Sequence, residues 1–592
     1  MATINEMILS EDYADYILPI YPQFLEDYRD FGAQLFNNYY GMIHGLLPSS
    51  DIRDYLANGL FYNTIPNLYS LLDTVSLEVS GITAVQNQPA LNLRGRGILI
   101  GFIDTGIDYT HPAFRRSDGG SRIYGLWDQT IQSGPPPFDM QYGTGYTHED
   151  LENALAAENP LELIPSRDTI GHGTFLAGAA AGSSLPDNDF IGAAPSSMLA
   201  VVKLKEAKNY LKELFYHTSD DPVYQESDIM MGIRYLLLLS NELQAPLVIC
   251  IGLGSNQGAH SGQSALSVSL TVSANYWGVY SVTAVGNEAG KAHHFFADAP
   301  APNTSTAVEI LVPENTRGFT AELWGAPPEI YSVGFESPLG EVIQRLPTRI
   351  NYSDTIQFVL EETEIFVASE LIQTISGDQL IFFRFSNPTP GSWKINIYSS
   401  SNNAGNFHIW LPVSGFMKPD VTFLRPDPNT TITAPSAAEV SLSTAAYNGY
   451  NNSLFVNSSR GFTRTGLIKP DIAAPGVNVY GPAPGGRFTT MTGTSVSAAL
   501  TAGACALVIE WGAKRNPPKI FNNAELKSLF IRGARRSQAQ LYPNREWGYG
   551  ALDVYRIFSV FTDILNFLPK AAPIPSRHIS CKCNQNSLED TK

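Results

Sequence analysis

Three short apolar runs, "ILIGFI" at 98–103, "PLVICIGL" at 246–253 and "VYSVTAV" at 279–285, constrain the fold of this chain more than anything else in it. A strand with one wet face alternates polar and apolar residues, and these runs do not, so both of their faces must be covered, as in a parallel sheet. Between them stand the helix-like stretches "SDIMMGIRYLLLLSNEL" and "QSALSVSLTVSANYWG", and parallel neighbours need crossovers of about that length. The expected fold class is α/β, a doubly wound parallel sheet whose functional loops lie at the carboxyl ends of the strands.

That pattern stops between 291 and 424. Short runs such as "GFTAELWG", "TIQFVLEE", "LIFFRFS" and "SWKINIYS" alternate there with Pro, Gly, Asn and Ser, which predicts an inserted antiparallel β domain, a sandwich or jelly roll. Its Trp324, Trp393 and Trp410 suit a core or a ligand platform equally well. The α/β style resumes at "KPDIAAPG" and ends with "EWGYGALDVYRIF". Before it, "YADYILPIYP", "PQFLEDYRDFGAQLF" and "YYGMIHGLLP" make a small α+β unit. The expected units are 1–65, 66–290, 291–424, 425–565 and a tail at 566–592.

Composition removes several classes of function. A share of 44% hydrophobic and 16% charged residues in 592 belongs to a folded chain, and a formal charge of −18 argues against nucleic acid as partner. Glu6 and Asp12 stand where a secretory signal would be basic and then apolar, and no run reaches the roughly 18 apolar residues of a membrane span. Neither feature is therefore expected. Cys250 and Cys505 lie in apolar runs and Cys581 and Cys583 in a polar terminus, too few for a disulfide scaffold. His111, His260, His293 and His294 lack Cys or carboxylate neighbours at ligand spacing, so they are expected on the surface or in loops, with no metal and no cofactor.

Four segments carry chemistry. Asp104 ends the first strand, in "DTGID"; His172 lies between glycines in "GHGT"; Asn287 follows a buried strand in "TAVGNEAG"; Ser495 lies in "MTGTSVSAAL", at the start of a small-residue helix. Each alone admits a structural role, as turn, cap or core residue. Together they supply an orienting carboxylate, a base, an oxyanion donor and a nucleophile. Thr494 and Ser497 are the nearest alternatives to Ser495.

With "GAAPSSMLAVVKLK", "LIKPDIAAPGVNV" and "EWGYGALDVYRIF", these segments resemble the subtilisin-like serine proteases over about 95–290 and 430–560, in the chain order Asp, His, Ser. The stretch "YNTIPNLYSLLDTVSLEVSGITAVQNQPALNLRGRGILIGFIDTGIDYTHPAF", with "LWDQTI" and "GLGSNQGAHSG", is similar to the clostridial Csp-like branch associated with spores and gut bacteria. The resemblance implies a serine endopeptidase acting through an acyl-enzyme. Asp104 would orient the imidazole, His172 act as base and Ser495 attack, with Asn287 and the Ser495 N–H holding the oxyanion. Gly252, Leu253 and Gly254, with Gly286, would bind an extended peptide, Gly252 making that edge more flexible; Glu288 suits equally a place at the mouth of the primary pocket, favouring a basic residue before the cut, and a solvated charge. It also implies a jelly-roll insert and an N-terminal prodomain that aids folding and is cut by the enzyme itself, here within about 55–66. The partners would be a protein or peptide substrate and the chain's own prodomain, and the protein a monomer. A bacterial location follows, cytoplasmic, spore-associated or released without a Sec signal. The rival reading is a Csp-like pseudoprotease acting in spore germination signalling. Ala499, where many relatives have proline, and Phe175, where histidine is common, depart from the family pattern.

Overall fold

The computed structural model describes residues 2–47, 62–71, 80–89, 91–346, 352–373, 376–400 and 405–559. Its centre is an eight-stranded sheet in the order 472–475, 442–447, 279–284, 247–251, 99–104, 198–203, 123–128 and 144–147. Every adjacent pair is parallel except the last, where Ile123–Asp128 pairs antiparallel with Thr144–Thr147. The three apolar runs are adjacent central strands, and their side chains divide between two cores. Ile100, Phe102, Val248, Cys250 and Val282 pack with the helices His172–Ala181 and Thr494–Ala513. Leu99, Ile103, Leu247, Ile249 and Ile251 pack with Glu226–Leu243 and Ala265–Ser273. Alternate residues point to opposite faces of a strand, so continuous apolarity is what a sheet covered on both sides requires.

The two helices on the first face approach closely because their contact residues are small. A Cβ on Gly503 would come within 2.4 Å of Ala180 O and 2.5 Å of the Ala193 Cβ. Thr494–Ala513 is also the one helix among the described residues long and apolar enough to cross a membrane, yet 89% of that window is buried inside the protein, as the core helix of this sheet. Cys250 and Cys505 are free and buried, and burial pushes both thiols up. Cys581, Cys583 and the expected tail lie outside the described residues.

The crossover between the parallel neighbours Val279–Ala284 and Leu442–Tyr447 holds the second unit. Its strands, from His294 to Phe423, form a six-stranded and a five-stranded antiparallel sheet over a shared aromatic core. Trp324, Trp393 and Trp410 are all buried, at 1%, 0% and 2% exposure, so none of them is a ligand platform. Of the histidines, His111, His260 and His293 stand in loops and His294 begins a strand, but none is on the surface. His111, His260, His293 and His294 are buried, because their ring nitrogens find main-chain carbonyls, carboxylates, another imidazole or, at His111 Nδ1, the Ala113 N–H, and their rings pack on aromatic neighbours or in the junction.

At the N-terminus the helix Ile4–Leu9 precedes a three-stranded antiparallel sheet, Tyr13–Pro19, Tyr40–Leu46 and Gln34–Leu35 in spatial order. Ile8, Ile17, Phe36 and Met42 share a core with Leu266 and Leu270. One buried cation ties the unit down: Lys208 Nζ donates to Asp15 Oδ1 at 2.9 Å, to Met7 O at 3.1 Å and to Tyr13 O at 3.0 Å. Gln225 and His44 also bond Asp15. Burial raises the Asp15 carboxyl, but the charge of Lys208 and the hydrogen bond with His44 outweigh it and hold it far below the usual carboxylate range.

Candidate active site

Asp104 is the last residue of its strand, at the carboxyl edge of the sheet, where ligands of such sheets bind. Its Oδ1 accepts from the Thr105 N–H at 2.8 Å and lies 2.7 Å from His172 Nδ1. On the other side of the ring, His172 Nε2 lies 3.2 Å from Ser495 Oγ. All three side chains are nearly buried. The arrangement has the geometry needed to carry a proton from a hydroxyl to an imidazole, with a carboxylate fixing the ring's tautomer.

The glycines beside His172 have separate reasons. Gly171 caps the helix in the left-handed region, φ 93°, and a Cβ on Gly173 would lie 2.2 Å from Gly106 O, so the turn after Asp104 packs directly on the helix start. A residue that the sequence reading missed, Asp168, holds these pieces together. Its carboxylate accepts from Thr105 Oγ1, the N–H groups of Ile170, Gly171 and Thr174, and Thr174 Oγ1, all at 2.7–3.2 Å. Its place in "RDTIGHGT", just before a helix, is the one available signal, since a carboxylate there is suited to capture free amide groups.

Ser495 is not the cap of its helix. The cap is Gly493, without a side-chain bond, and the helix begins at Thr494, so Ser495 belongs to the first turn, whose N–H groups have no partner within the helix. Thr494 Oγ1 accepts from Gly286 N at 3.1 Å, while Thr494 N donates to Asn287 Oδ1 at 3.2 Å. The second bond fixes the Asn287 amide with its oxygen occupied and its NH₂ as the remaining donor. Ser497 turns away, its hydroxyl donating to the carbonyls of Ala474 and Pro475.

Gly252 serves the site through space. A Cβ there would stand 2.6 Å from Leu176 Cδ1, 3.1 Å from the Ser495 Cβ and 3.3 Å from His172 Cε1. We expect Gly252→Ala to leave the protein folded and lower kcat by about tenfold or more, since small misplacements of reacting groups are costly. Steady-state peptide hydrolysis beside a circular dichroism spectrum checks this.

The strand Leu253–Gly254 already has a partner, the chain itself. Residues 68–71 lie antiparallel between it and Tyr224–Gln225, with Leu71 opposite Leu253, Ser70 opposite Gly254, Tyr69 opposite Tyr224 and Leu68 opposite Gln225. Leu68 N donates to Gln257 Oε1 at 2.7 Å and Glu226 N to Asn67 O at 2.8 Å. The expected boundary at 65/66 therefore cuts in front of a strand lodged in the groove. Of the expected cleavage window 55–66, residues 55–61 lie outside the described residues and 62–66 precede that strand.

Glu288 is not at a pocket mouth. It is 2% exposed, its Oε2 lies 2.7 Å from His293 Nδ1 and its Oε1 accepts from Ser414 N at 3.0 Å. A buried carboxylate is held by an imidazole instead of facing substrate, so it cannot select a basic residue. Burial disfavours the charged His293, but Asp420 and Glu288 outweigh that and hold it up to about 9. A raised histidine adds stability that is complete below its unfolded value near 6.5 and is lost as pH rises through about 9, on the order of 3 kcal/mol. Thermal unfolding from pH 6 to 10 should show wild type losing this increment while Glu288→Gln loses much less.

Among the described residues no cluster of His, Cys, Asp and Glu suited to a metal ion occurs. The subtilase family, peptidase S8, matches residues 95–334 and 386–550, more than half of the chain. The chain is similar to the CspB protease of Clostridium perfringens, with a TM-score of 0.73 and 30% identity over 82% of this chain and 97% of that one. It is 24% identical to a subtilisin-like protease of Arabidopsis thaliana over 89% of its own length and 69% of that protein's. A shorter match, 38% identical over 98 residues, covers 17% of this chain and 8% of the C5a peptidase of Streptococcus pyogenes. The chain belongs to the subtilase family and is a serine peptidase with the subtilisin-like α/β fold.

Proposed function

We propose that the protein is an endopeptidase in which Ser495 attacks the scissile carbonyl, His172 takes its proton and returns it to the leaving amine, and Asp104 stabilises the imidazolium. The observation that carries this reading is the bonded series Asp104 Oδ1, His172 Nδ1, His172 Nε2 and Ser495 Oγ at 2.7 and 3.2 Å. The acyl-enzyme forms as the amine departs and is hydrolysed by water with the same base. The Asn287 amide and the Ser495 N–H hold the oxyanion, and Gly252, Leu253, Gly254 and Gly286 line the peptide's path.

The N-terminal unit acts as prodomain, folding aid and inhibitor, and the two-sheet insert is a jelly roll. The pairing of residues 70–71 with Leu253–Gly254 supports the first statement, because substrate would have to displace that strand. Since Gly252 abuts Ser495, self-cleavage falls about one to three residues beyond Leu71. Fluorophosphonate labelling tests the reading. We expect one adduct, on the peptide containing Ser495, and a new N-terminus past residue 71 in wild type but not in Ser495→Ala. A folded protein that neither labels nor is cut would instead be the pseudoprotease.

A further inference from the structure

An opening of about 650 Å³ lies at the far end of the sheet, lined by Arg94, Arg115, Arg116 and Arg122 with Ser183 and Ser197 among others. Arg122 stands just before the strand Ile123–Asp128 and runs in register with the start of Met198–Lys203. Asp104 closes Leu99–Asp104 at the opposite edge. Six strand residues at about 3.3 Å each separate the two ends by roughly 20 Å, so the opening is distinct from the peptide groove.

Three of its four arginines are not matched by anions among the described residues. Arg122 is 6% exposed, and its terminal nitrogens donate only to neutral acceptors, Ser183 Oγ at 2.9 Å and Ser197 O at 2.7 Å. Its Nε is buried with no partner, and so is the Nε of Arg115. Among the described residues no carboxylate forms an ion pair with Arg94, Arg115 or Arg122; Arg116 alone is so engaged, with Asp118 and Glu152. Burial without a counter-charge pulls Arg122 down to about 10. In a chain whose formal charge is −18, acids are plentiful, yet among the described residues those at this opening pair with Arg116 and not with Arg94, Arg115 or Arg122. A buried guanidinium left this way is unfavourable unless an anion completes it.

We propose that this opening binds a small polyanion, whose phosphate or carboxylate groups are received by Arg94, Arg115 and Arg122. The planar fork of arginine matches both kinds of oxyanion. The volume is within the range of about 300–1,000 Å³ typical of small-molecule sites and exceeds what a single phosphate fills, which selects a ligand with two or more anionic groups. This inference stands apart from the peptidase reading.

Calorimetric titration of the full chain with tripolyphosphate and, separately, with citrate, against KCl of equal ionic strength, tests it. We expect saturable binding with one ligand per chain for at least one polyanion. Binding of tripolyphosphate alone assigns phosphate, of citrate alone polycarboxylate, and of both the shared oxyanion chemistry. Arg115→Gln and Arg94→Gln, at half-buried positions, should each weaken it about tenfold or more, with Arg122→Gln weaker still if it folds. Arg29→Gln, at an exposed position on the N-terminal unit, should bind as wild type does. No heat with either ligand up to about 5 mM, a signal reproduced by KCl, or equal binding in Arg115→Gln and Arg94→Gln would overturn the proposal.

Discussion

Ser495→Ala is expected to lower kcat by about 10⁶-fold, His172→Ala by a similar factor, and the double variant by no more than either alone. Subtilisin itself is the source of that magnitude and of that non-additivity. The reason is visible here: the imidazole acts only through the hydroxyl 3.2 Å away, so either loss removes the same step. Ser495→Ala also keeps the buried Cβ and leaves the cap of the helix, Gly493, in place. Its unfolding temperature should stay close to that of wild type. Peptide hydrolysis and thermal unfolding of wild type and each variant after trimming past residue 71 by an added protease, beside the intact mass of the untrimmed proteins, check both points. Additive losses, or a Ser495→Ala protein that still matures, would show that the nucleophile lies elsewhere, and Thr494 and Ser497 are already engaged with Gly286 N and with the carbonyls of Ala474 and Pro475.

Asn287→Ala is expected to lower kcat by a further distinct amount, about 10²–10³-fold, with KM little changed, equivalent to about 2.7–4 kcal/mol of transition-state stabilisation. A donor aimed at charge that exists only in the transition state changes the rate and not ground-state binding. The orientation of that donor depends on Thr494, whose N–H holds the amide oxygen and whose hydroxyl holds Gly286. Thr494→Val keeps the N–H and loses only the hydroxyl, so its kcat should fall between those of wild type and Asn287→Ala. Steady-state kinetics on one peptide across the three proteins decides this. An Asn287→Ala enzyme that loses affinity in place of rate would make Asn287 a peptide-binding residue.

Much of this site was legible before any coordinates. Asp104, His172, Asn287 and Ser495 sit at strand ends or helix starts, and local sequence marks those places through a run of apolar residues, a flanking glycine or a small-residue helix. Strand type was equally legible, because continuous apolarity can be satisfied only under cover on both faces. Asp168 was not, since its five bonds come from a strand-end turn and a helix start that only folding brings together. The burial of Glu288 and of the four histidines was not legible for a related reason. A polar side chain in a loop looks solvated until its partners arrive, and theirs stand far along the chain or across the junction with the insert, as Ser414 N does for Glu288 and Ile432 O for His260.

The sequence by itself determined the sheet's class and singled out Asp104, His172, Asn287 and Ser495 as candidates, because each depends on neighbours within about ten positions. Tertiary structure alone decided where Glu288 points and that Gly252 is there to leave room for Ser495 and His172. It alone decided that residues 68–71 pair between Leu253–Gly254 and Tyr224–Gln225. Those three depend on segments about 80 to 250 residues apart coming together, and contact between such segments is set by burial and register, which no local pattern encodes.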